Sequence, residues 1–320
     1  MAKYKVVITD EWSESYDIER EVLRRVDAEL VVCRTRSEDE VIAACRDADG
    51  LLVPLTDINA QVVAGLERCR VVSRYGVGYD NVDVDACTKR GIWVSNVPGY
   101  CADDVAEHAL ALLFSCLRKT ALRDRLIRQG SWNLSAAGSF RLAGKTVGLI
   151  GGGGIARALM KKMGGFDVRL LVYSPHVPQE MLDEYGARKV SLEELLRESD
   201  VVSLHVPAND KNRGIINAET LALMKPGAIL INTARGALVD DAALIAALQS
   251  GTIAFAGLDT HNFEPLPKDS PYFGLDNVVL TDHTAYNTPE AVKELKRRAA
   301  ENVAAVLEGK APNTPVNHIE

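Results

Sequence analysis

Basic residues are in deficit in this sequence. Lys and Arg number 37 against 44 Asp and Glu, a formal net charge of −7. A protein that grips a phosphate backbone needs a basic patch or a basic balance, so nucleic acid is not an expected partner. The one basic run, KELKRR near the C-terminus, falls on a helical pattern and reads as a solvated face. The six cysteines, Cys33, Cys45, Cys69, Cys87, Cys101 and Cys116, include no CxxC pair. That spacing suits neither a zinc framework nor a disulfide scaffold. It implies reduced, mostly buried thiols in a cytoplasmic protein, and no metal is expected. The longest apolar stretch, ALALLFSCL, is far short of the ~20 residues a membrane span needs. The opening MAKYKVVITD enters a strand pattern at once, without the pattern of a secretory leader.

What the sequence has is alternation. Short β-branched runs (YKVVITD, ELVVCRT, GLLVPL, RVVSRYG, IWVSNV, then KTVGLIGG, VRLLVYS, DVVSLHVP, GAILINTA, AFAGLD, NVVLTDH) are separated by longer helical patterns. Apolar runs of this kind read as strands buried on both faces, hence parallel sheets with helices above and below. A length of 320 residues suits two such domains. The seam falls near VSNVPGYCADD, where Asn96, Pro98 and Gly99 break the chain. Asp104 and Glu107 predict a capping box for the helix that follows. A second break, NTPEAV, precedes the last helical pattern, which is expected to return to the first domain.

Between a strand pattern (KTVGLI) and a helix pattern (IARALMKKM) stand Gly151, Gly152, Gly153 and Gly154, followed by Ile155 and Ala156. This fits G-x-G-x-x-G/A with Ala156 last. The first glycine permits a tight turn, the second lets backbone approach a pyrophosphate, and the small last residue lets helix pack on strand. The phosphates would sit on free N–H groups at the helix start. A Gly-rich turn chosen only for packing is the bland alternative, and strand, helix and α/β context together favour dinucleotide binding. The ribose-binding acid expected about 20 residues on is absent. Ser174 stands there, followed by Pro175 and His176. A serine bonds a ribose hydroxyl without repelling a 2′-phosphate, and no Arg or Lys follows to grip one. The expected cofactor is therefore NAD or NADP, with NAD slightly preferred.

Ligands of doubly wound sheets bind beyond the carboxyl ends of the strands. Arg235 follows one such strand in GAILINTARG, Asp259, His261 and Glu264 follow another in AFAGLDTHNFE, and His283 follows a third in NVVLTDH. A guanidinium can hold a carboxylate through two parallel bonds. A histidine can pass a proton, and a carboxylate on its other ring nitrogen fixes the tautomer. Alone, Arg235 reads more simply as a surface partner of Asp240 or Asp241. The case rests on Arg235, Glu264 and His283 together at strand ends after one nucleotide turn. His108 reads as a structural hydrogen bonder, His318 as solvated, and Cys101 as packing.

These residues together resemble the D-2-hydroxyacid dehydrogenase family over nearly the whole chain. RYGVGYDN is similar to its substrate-carboxylate loop, NVPGYCADDVAEHALAL to its hinge and dimerisation helix, and GGGGIAR to its nucleotide turn. SLHVP, LMKPGAILINTARGALVD and LDTHNFEPLP match its later blocks. RYGVGYDNVDV and the ending NTPVN are most similar to the carboxy-terminal-binding-protein-like branch, with phosphoglycerate and glyoxylate or hydroxypyruvate reductases as relatives.

The resemblance implies two Rossmann- or flavodoxin-like doubly wound parallel-sheet domains with a cleft between them. Residues 1–100 plus 289–320 would form the substrate domain and 101–288 the dinucleotide-binding domain. It implies that Arg235 binds substrate carboxylate and carbonyl, that His283 is the general acid/base, and that Glu264 tunes it. Asp259 would hold the nicotinamide carboxamide, and Thr233 and His205 would lie along the cofactor with Gly151, Gly153, Gly154, Ile155, Ser174 and His176. Val77 and Gly78 would offer N–H groups to the substrate carboxylate, with Arg74 as an added cation that could equally pair with Asp80 or Asp83. A homodimer through the helix at 104–120 is implied as well. The chain departs from the family pattern at Gly154, where a basic residue is common, at Asp282, where Pro is usual, at His261 and Asn262, where Phe-Glu is common, and near Tyr286. The expected activity interconverts a 2-oxo acid and a D-2-hydroxy acid. The second reading, of another class, is a dinucleotide-sensing binding protein with little turnover.

Overall fold

The computed structural model describes residues 2–34, 37–132 and 138–319. The chain divides into two compact units, Met1–Tyr100 with Thr288–Glu320, and Cys101–Asn287.

The first unit holds a five-stranded sheet of β1 (Tyr4–Ile8), β2 (Ala28–Val32), β3 (Gly50–Val53), β4 (Val71–Arg74) and β5 (Trp93–Ser95). Every pairing is parallel, in the order β2-β1-β3-β4-β5. Central strands read as unbroken apolar runs because both faces are covered. Val6, Ile8, Leu52 and Val71 face one core, and Val7, Leu51, Val53 and Val72 the other. The helix Pro289–Leu307 closes the first of these cores with Leu295, Ala299 and Val303. It lies so near the sheet that a Cβ on Gly50 would come within 2.9 Å of Val303 Cγ1. Thr288 caps the helix through the Ala291 N–H, and Pro289 occupies its first turn, where a missing N–H does no harm.

KELKRR is not a solvated face throughout. Lys296 is buried, its ammonium set 5.3 Å and 5.2 Å from the Trp12 and Tyr16 ring centroids and bonded to Ser13 Oγ at 2.6 Å. The neighbouring Arg297 does face water, paired with Glu294 and Glu301. The sequence end has a structural task as well. Val94 N–H donates to Asn317 Oδ1 at 2.7 Å, and Asn317 Nδ2 donates to the Ile92 carbonyl at 3.0 Å, so one side-chain amide satisfies the edge of β5.

The second unit holds seven strands: β6 (Thr146–Ile150), β7 (Arg169–Tyr173), β8 (Ala187–Lys189), β9 (Val201–Leu204), β10 (Ala228–Asn232), β11 (Ile253–Leu258) and β12 (Val278–Leu280). All pairings are parallel, in the order β12-β11-β10-β9-β6-β7-β8. The order reverses between β6 and β9, the switch point at which such sheets bind ligands. Strand β8 is absent from the sequence expectation. It is a three-residue edge strand reading Ala-Arg-Lys, without the apolar signal of the strands it joins.

The helix after the seam begins at Ala102, with Cys101 at its N-cap, so Asp104 lies inside the first turn and is not the cap. Glu107 does not complete a capping box; it pairs with Lys162 Nζ at 2.8 Å. Asp103 and Asp104 in the first turn suit the positive end of the helix dipole and allow the earlier start. Val105, Ala106, Ala109, Leu112, Leu113 and Cys116 of this helix are buried. Its fit on β11 is close: a Cβ on Gly257 would stand 2.9 Å from Leu112 Cβ. Among the described residues, no helix is long and apolar enough to cross a membrane.

Candidate active site

The glycine turn leaves β6 at the switch point. Gly151 has φ +116°, and a Cβ there would lie 2.3 Å from the His205 carbonyl oxygen, so both conformation and crowding demand glycine. Gly152 is nearly as confined, with Val177 Cγ2 at 2.9 Å and Ser174 Cβ at 3.4 Å from the same hypothetical atom. Gly153 and Gly154 differ. A Cβ on either meets no described atom within 4 Å. Gly153 caps the helix Gly154–Met163 with extended backbone and no side chain, so the N–H groups of the first turn, including that of Ile155, point onward without an intrahelical acceptor. Ala156, fully buried, allows the helix to pack on the sheet.

Around this turn stand the other expected cofactor residues. Gly151 N–H donates to the Tyr173 carbonyl at 2.8 Å, which brings the end of β7 alongside, with Ser174 buried and His176 exposed. His205 follows β9; its Nε2 meets Ser203 Oγ at 2.9 Å, and loss of water around the imidazole pushes its pKa down to about 4. Thr233 follows β10, and its buried Oγ1 finds no hydrogen-bond partner among the described residues. Open space over two glycines, helix-start N–H groups and an orphaned buried hydroxyl fit a dinucleotide lying across the switch point.

Three further strand ends align. Asn232 of β10 pairs with Leu258 of β11, and Leu258 with Leu280 of β12, so the loops that follow rise side by side. Arg235 leaves β10 in a turn braced by its own neighbours: Asn232 Nδ2 donates to the Arg235 carbonyl at 2.9 Å and Arg235 Nη1 to the Ala234 carbonyl at 2.7 Å. Asp240 caps the helix Asp241–Ser250, and Asp241 takes bonds from Asn262 Nδ2 and Tyr272 Oη.

His283 stands beyond β12 with φ +56°, a left-handed backbone unusual for a residue with a side chain. Its Nδ1 lies 2.7 Å from Glu264 Oε2. The carboxylate accepts, so Nδ1 carries the proton and Nε2 is the ring atom left for exchange. Partial burial pushes Glu264 up, but bonds from His283 and the His261 N–H outweigh it and hold the carboxyl below its ordinary value. Tyr286 meets the His283 ring edge-on at 6.4 Å, and the exposed Asp282 takes a bond from Thr284 Oγ1.

Asp259 is fully buried at the end of β11. Its Oδ1 accepts from Thr281 Oγ1 at 2.6 Å and Thr284 N–H at 3.0 Å, and its Oδ2 from Ala285 N–H at 3.1 Å. His108 Nε2 stands 3.3 Å from the same Oδ1 and 3.0 Å from Thr281 Oγ1. Burial alone would raise the carboxyl; bonds from His108, Thr281 and Ala285 prevail and bring it down to about 2. The Asp259 carbonyl takes the His283 N–H at 2.8 Å, so this residue anchors the turn that carries the imidazole. Sequence patterning gave no sign of that anchoring, of the link to His108 from a distant helix, or of the tie between His261 and Thr281.

In the first unit, Val77 is exposed after β4, and Asn96 Nδ2 bonds its carbonyl at 2.6 Å. Gly78 adjoins it, half-buried. Arg74 turns back beneath the loop to the Tyr75 carbonyl, filling the space that a Cβ on Gly76 would need. Asp83 caps the helix Val84–Lys89. Among the described residues, no group of three potential metal ligands occurs.

Residues 110–285 match the family model described as D-isomer specific 2-hydroxyacid dehydrogenase, NAD binding domain. A glyoxylate reductase of Korarchaeum cryptofilum is 41% identical over 286 residues, covering 88% of this chain and 86% of that protein. The crystal structure of a glyoxylate reductase from Paecilomyes thermophila superposes with a TM-score of 0.90 at 29% identity, covering 99% of each chain. An acyclic imino acid reductase in complex with NADPH and D-arginine superposes with a TM-score of 0.88 at 30% identity, covering 98% of this chain and all of that one.

Proposed function

The chain belongs to the D-isomer specific 2-hydroxyacid dehydrogenase family, NAD(P)-dependent oxidoreductases of 2-oxo and 2-hydroxy acids, and we propose that it reduces a small 2-oxo acid with His283 as proton donor. The observation that carries the residue roles is the 2.7 Å contact of His283 Nδ1 with Glu264, on a strand end beside the Arg235 turn. Glu264 fixes the ring so that Nε2 faces the reaction. Arg235 holds the substrate carboxylate through its guanidinium fork and stabilises negative charge as it develops on the C2 oxygen. His283 Nε2–H then delivers its proton to that oxygen; in the reverse direction it removes the hydroxyl proton. The bound dinucleotide supplies the hydride chemistry. Its pyrophosphate would rest on the N–H groups opened by Gly153 and Gly154, and Thr233 Oγ1 would gain a partner.

In the first unit, the Val77 and Gly78 N–H groups, with Arg74, are assigned to carboxylate binding. Glyoxylate and hydroxypyruvate are the first substrates to try, since relatives of this length are named glyoxylate reductases. Ser174, a neutral residue where an acid would repel a 2′-phosphate, is compatible with either dinucleotide. We further propose a homodimer through residues 104–120 and a cytoplasmic enzyme with free thiols, consistent with six unpaired cysteines. Light scattering of the purified protein checks the first of these.

The decisive assay is oxidation of NADH and NADPH, in parallel, against a panel of 2-oxo acids. Turnover that survives in wild type and is lost in His283→Ala supports the reading. Tight dinucleotide binding with no turnover across the panel would replace it with a sensing role.

A further inference from the structure

The segment His261–Asn262 departs from the family pattern and touches all three proposed reacting side chains through their supports. His261 Nε2–H donates to the Thr281 carbonyl at 2.8 Å, two residues before His283. Its main-chain N–H donates to Glu264 Oε1 at 2.9 Å, while Glu264 Oε2 holds His283. Asn262 Nδ2 donates to the Val239 carbonyl at 3.0 Å and to Asp241 Oδ2 at 2.9 Å, which ties the segment to the chain leaving the Arg235 turn. The peptide joining His261 to Asn262 presses directly on Gly236. A Cβ there would lie 2.0 Å from the His261 carbonyl carbon and 2.3 Å from Asn262 N.

We propose that His261 and Asn262 are positioning residues that set the Arg235 turn, Glu264 and His283 in one fixed relation. The inference rests on the proposed roles of those three residues. Its physical basis is that His283 occupies a left-handed backbone, which persists only where surrounding bonds hold it, and that proton transfer and carboxylate binding tolerate little displacement. An apolar ring at 261 could not hold the Thr281 carbonyl. The main-chain bond to Glu264 is independent of the side chain, so substitution isolates the tie to Thr281. Asn262 acts on the other partner: its amide restrains the strand of chain that follows Arg235.

The test uses the full-length protein with its best 2-oxo acid, and compares His261→Phe, His261→Gln and Asn262→Ala. His261→Phe should lower kcat about 10-fold while the dinucleotide dissociation constant, read by nicotinamide fluorescence, stays as in wild type. His261→Gln, which keeps an N–H donor, should recover most of that loss. Asn262→Ala should act mainly on KM for the oxo acid, raising it about 10-fold, because it loosens the carboxylate-binding turn. If His261→Phe does not fold, His261→Met is read in its place, since its flexible apolar side chain adapts to the gap. Wild-type kcat and KM in these variants, with or without a lower Tm, would overturn the proposal and leave a packing role only. The failure is separable from that of the underlying reading. An inactive His283→Ala beside a fully active His261→Phe rejects only the positioning role, whereas an active His283→Ala rejects the proton-transfer assignment itself.

Discussion

Glu264 and His283 meet across 19 residues of chain, Oε2 to Nδ1, at 2.7 Å. Neither residue lies in a strand; each extends from a loop that a parallel ladder has brought level with its neighbour. The contact orders an imidazole by a carboxylate and leaves its second nitrogen outside that bond.

Because the imidazole helps hold Glu264 below its ordinary value, the pair is intact above the unfolded carboxylate value of 4.5 and is lost as pH falls through the lower folded value. His283→Ala should lower turnover by about 10²-fold or more and return the Glu264 titration upward toward the usual carboxylate range. Steady-state kinetics and carboxyl NMR titration read the two effects separately.

Asp259 titrates at about 2 against an ordinary 3.8, so its contribution to stability is present above pH 3.8 and lost as pH falls through 2. The shift corresponds to about 2 kcal/mol. Asp259→Asn should flatten the acid side of a plot of unfolding free energy against pH. Asp259→Ala, which leaves the Thr284 and Ala285 N–H groups without their acceptor, should cost about 3 kcal/mol or more by denaturant titration.

The four glycines divide by what surrounds them. Gly151→Ala forces a methyl onto the His205 carbonyl and should lower Tm together with dinucleotide binding. Gly153→Ala meets no described atom, so Tm should hold while affinity for the dinucleotide falls about 10-fold or more. Thermal melts with and without NADH distinguish the two.

Ser174→Asp places a carboxylate at the end of β7. NADPH affinity should fall at least about 10-fold relative to NADH affinity, through repulsion of the 2′-phosphate. Equilibrium fluorescence with each dinucleotide measures the ratio. An unchanged ratio would show that the ribose lies elsewhere.

The other eleven strands were legible because each is an apolar run flanked by breaks, and parallel pairing follows when both faces must be covered. The Gly151 turn was legible because one residue type alone satisfies its geometry. Strand β8 was not, since edge pairing by Ala-Arg-Lys leaves no apolar trace. Lys296 was misread because local charge density says nothing about which single side chain of a helix meets Trp12 and Tyr16. Within the proposed site, Arg235, Glu264 and His283 are picked out by residue type at strand ends, and the structure sets His283 against Glu264. His261 and Asn262 are not picked out: their partners, Thr281, Val239 and Asp241, are neighbours in space, and no spacing rule links them.

The helix Pro289–Leu307 supplies Leu295, Ala299 and Val303 to the core of a sheet whose strands all lie in the first hundred residues. Asn317 closes the edge of that same sheet. During synthesis, then, the first unit emerges lacking one wall of its interior until the segment after residue 287 follows. The second unit, Cys101–Asn287, is continuous and has everything it needs once residue 287 is clear of the ribosome. The half of the molecule translated first is the half completed last, so a stalled or truncated chain would carry a finished nucleotide fold joined to an open apolar sheet, a ready target for chaperones and proteases.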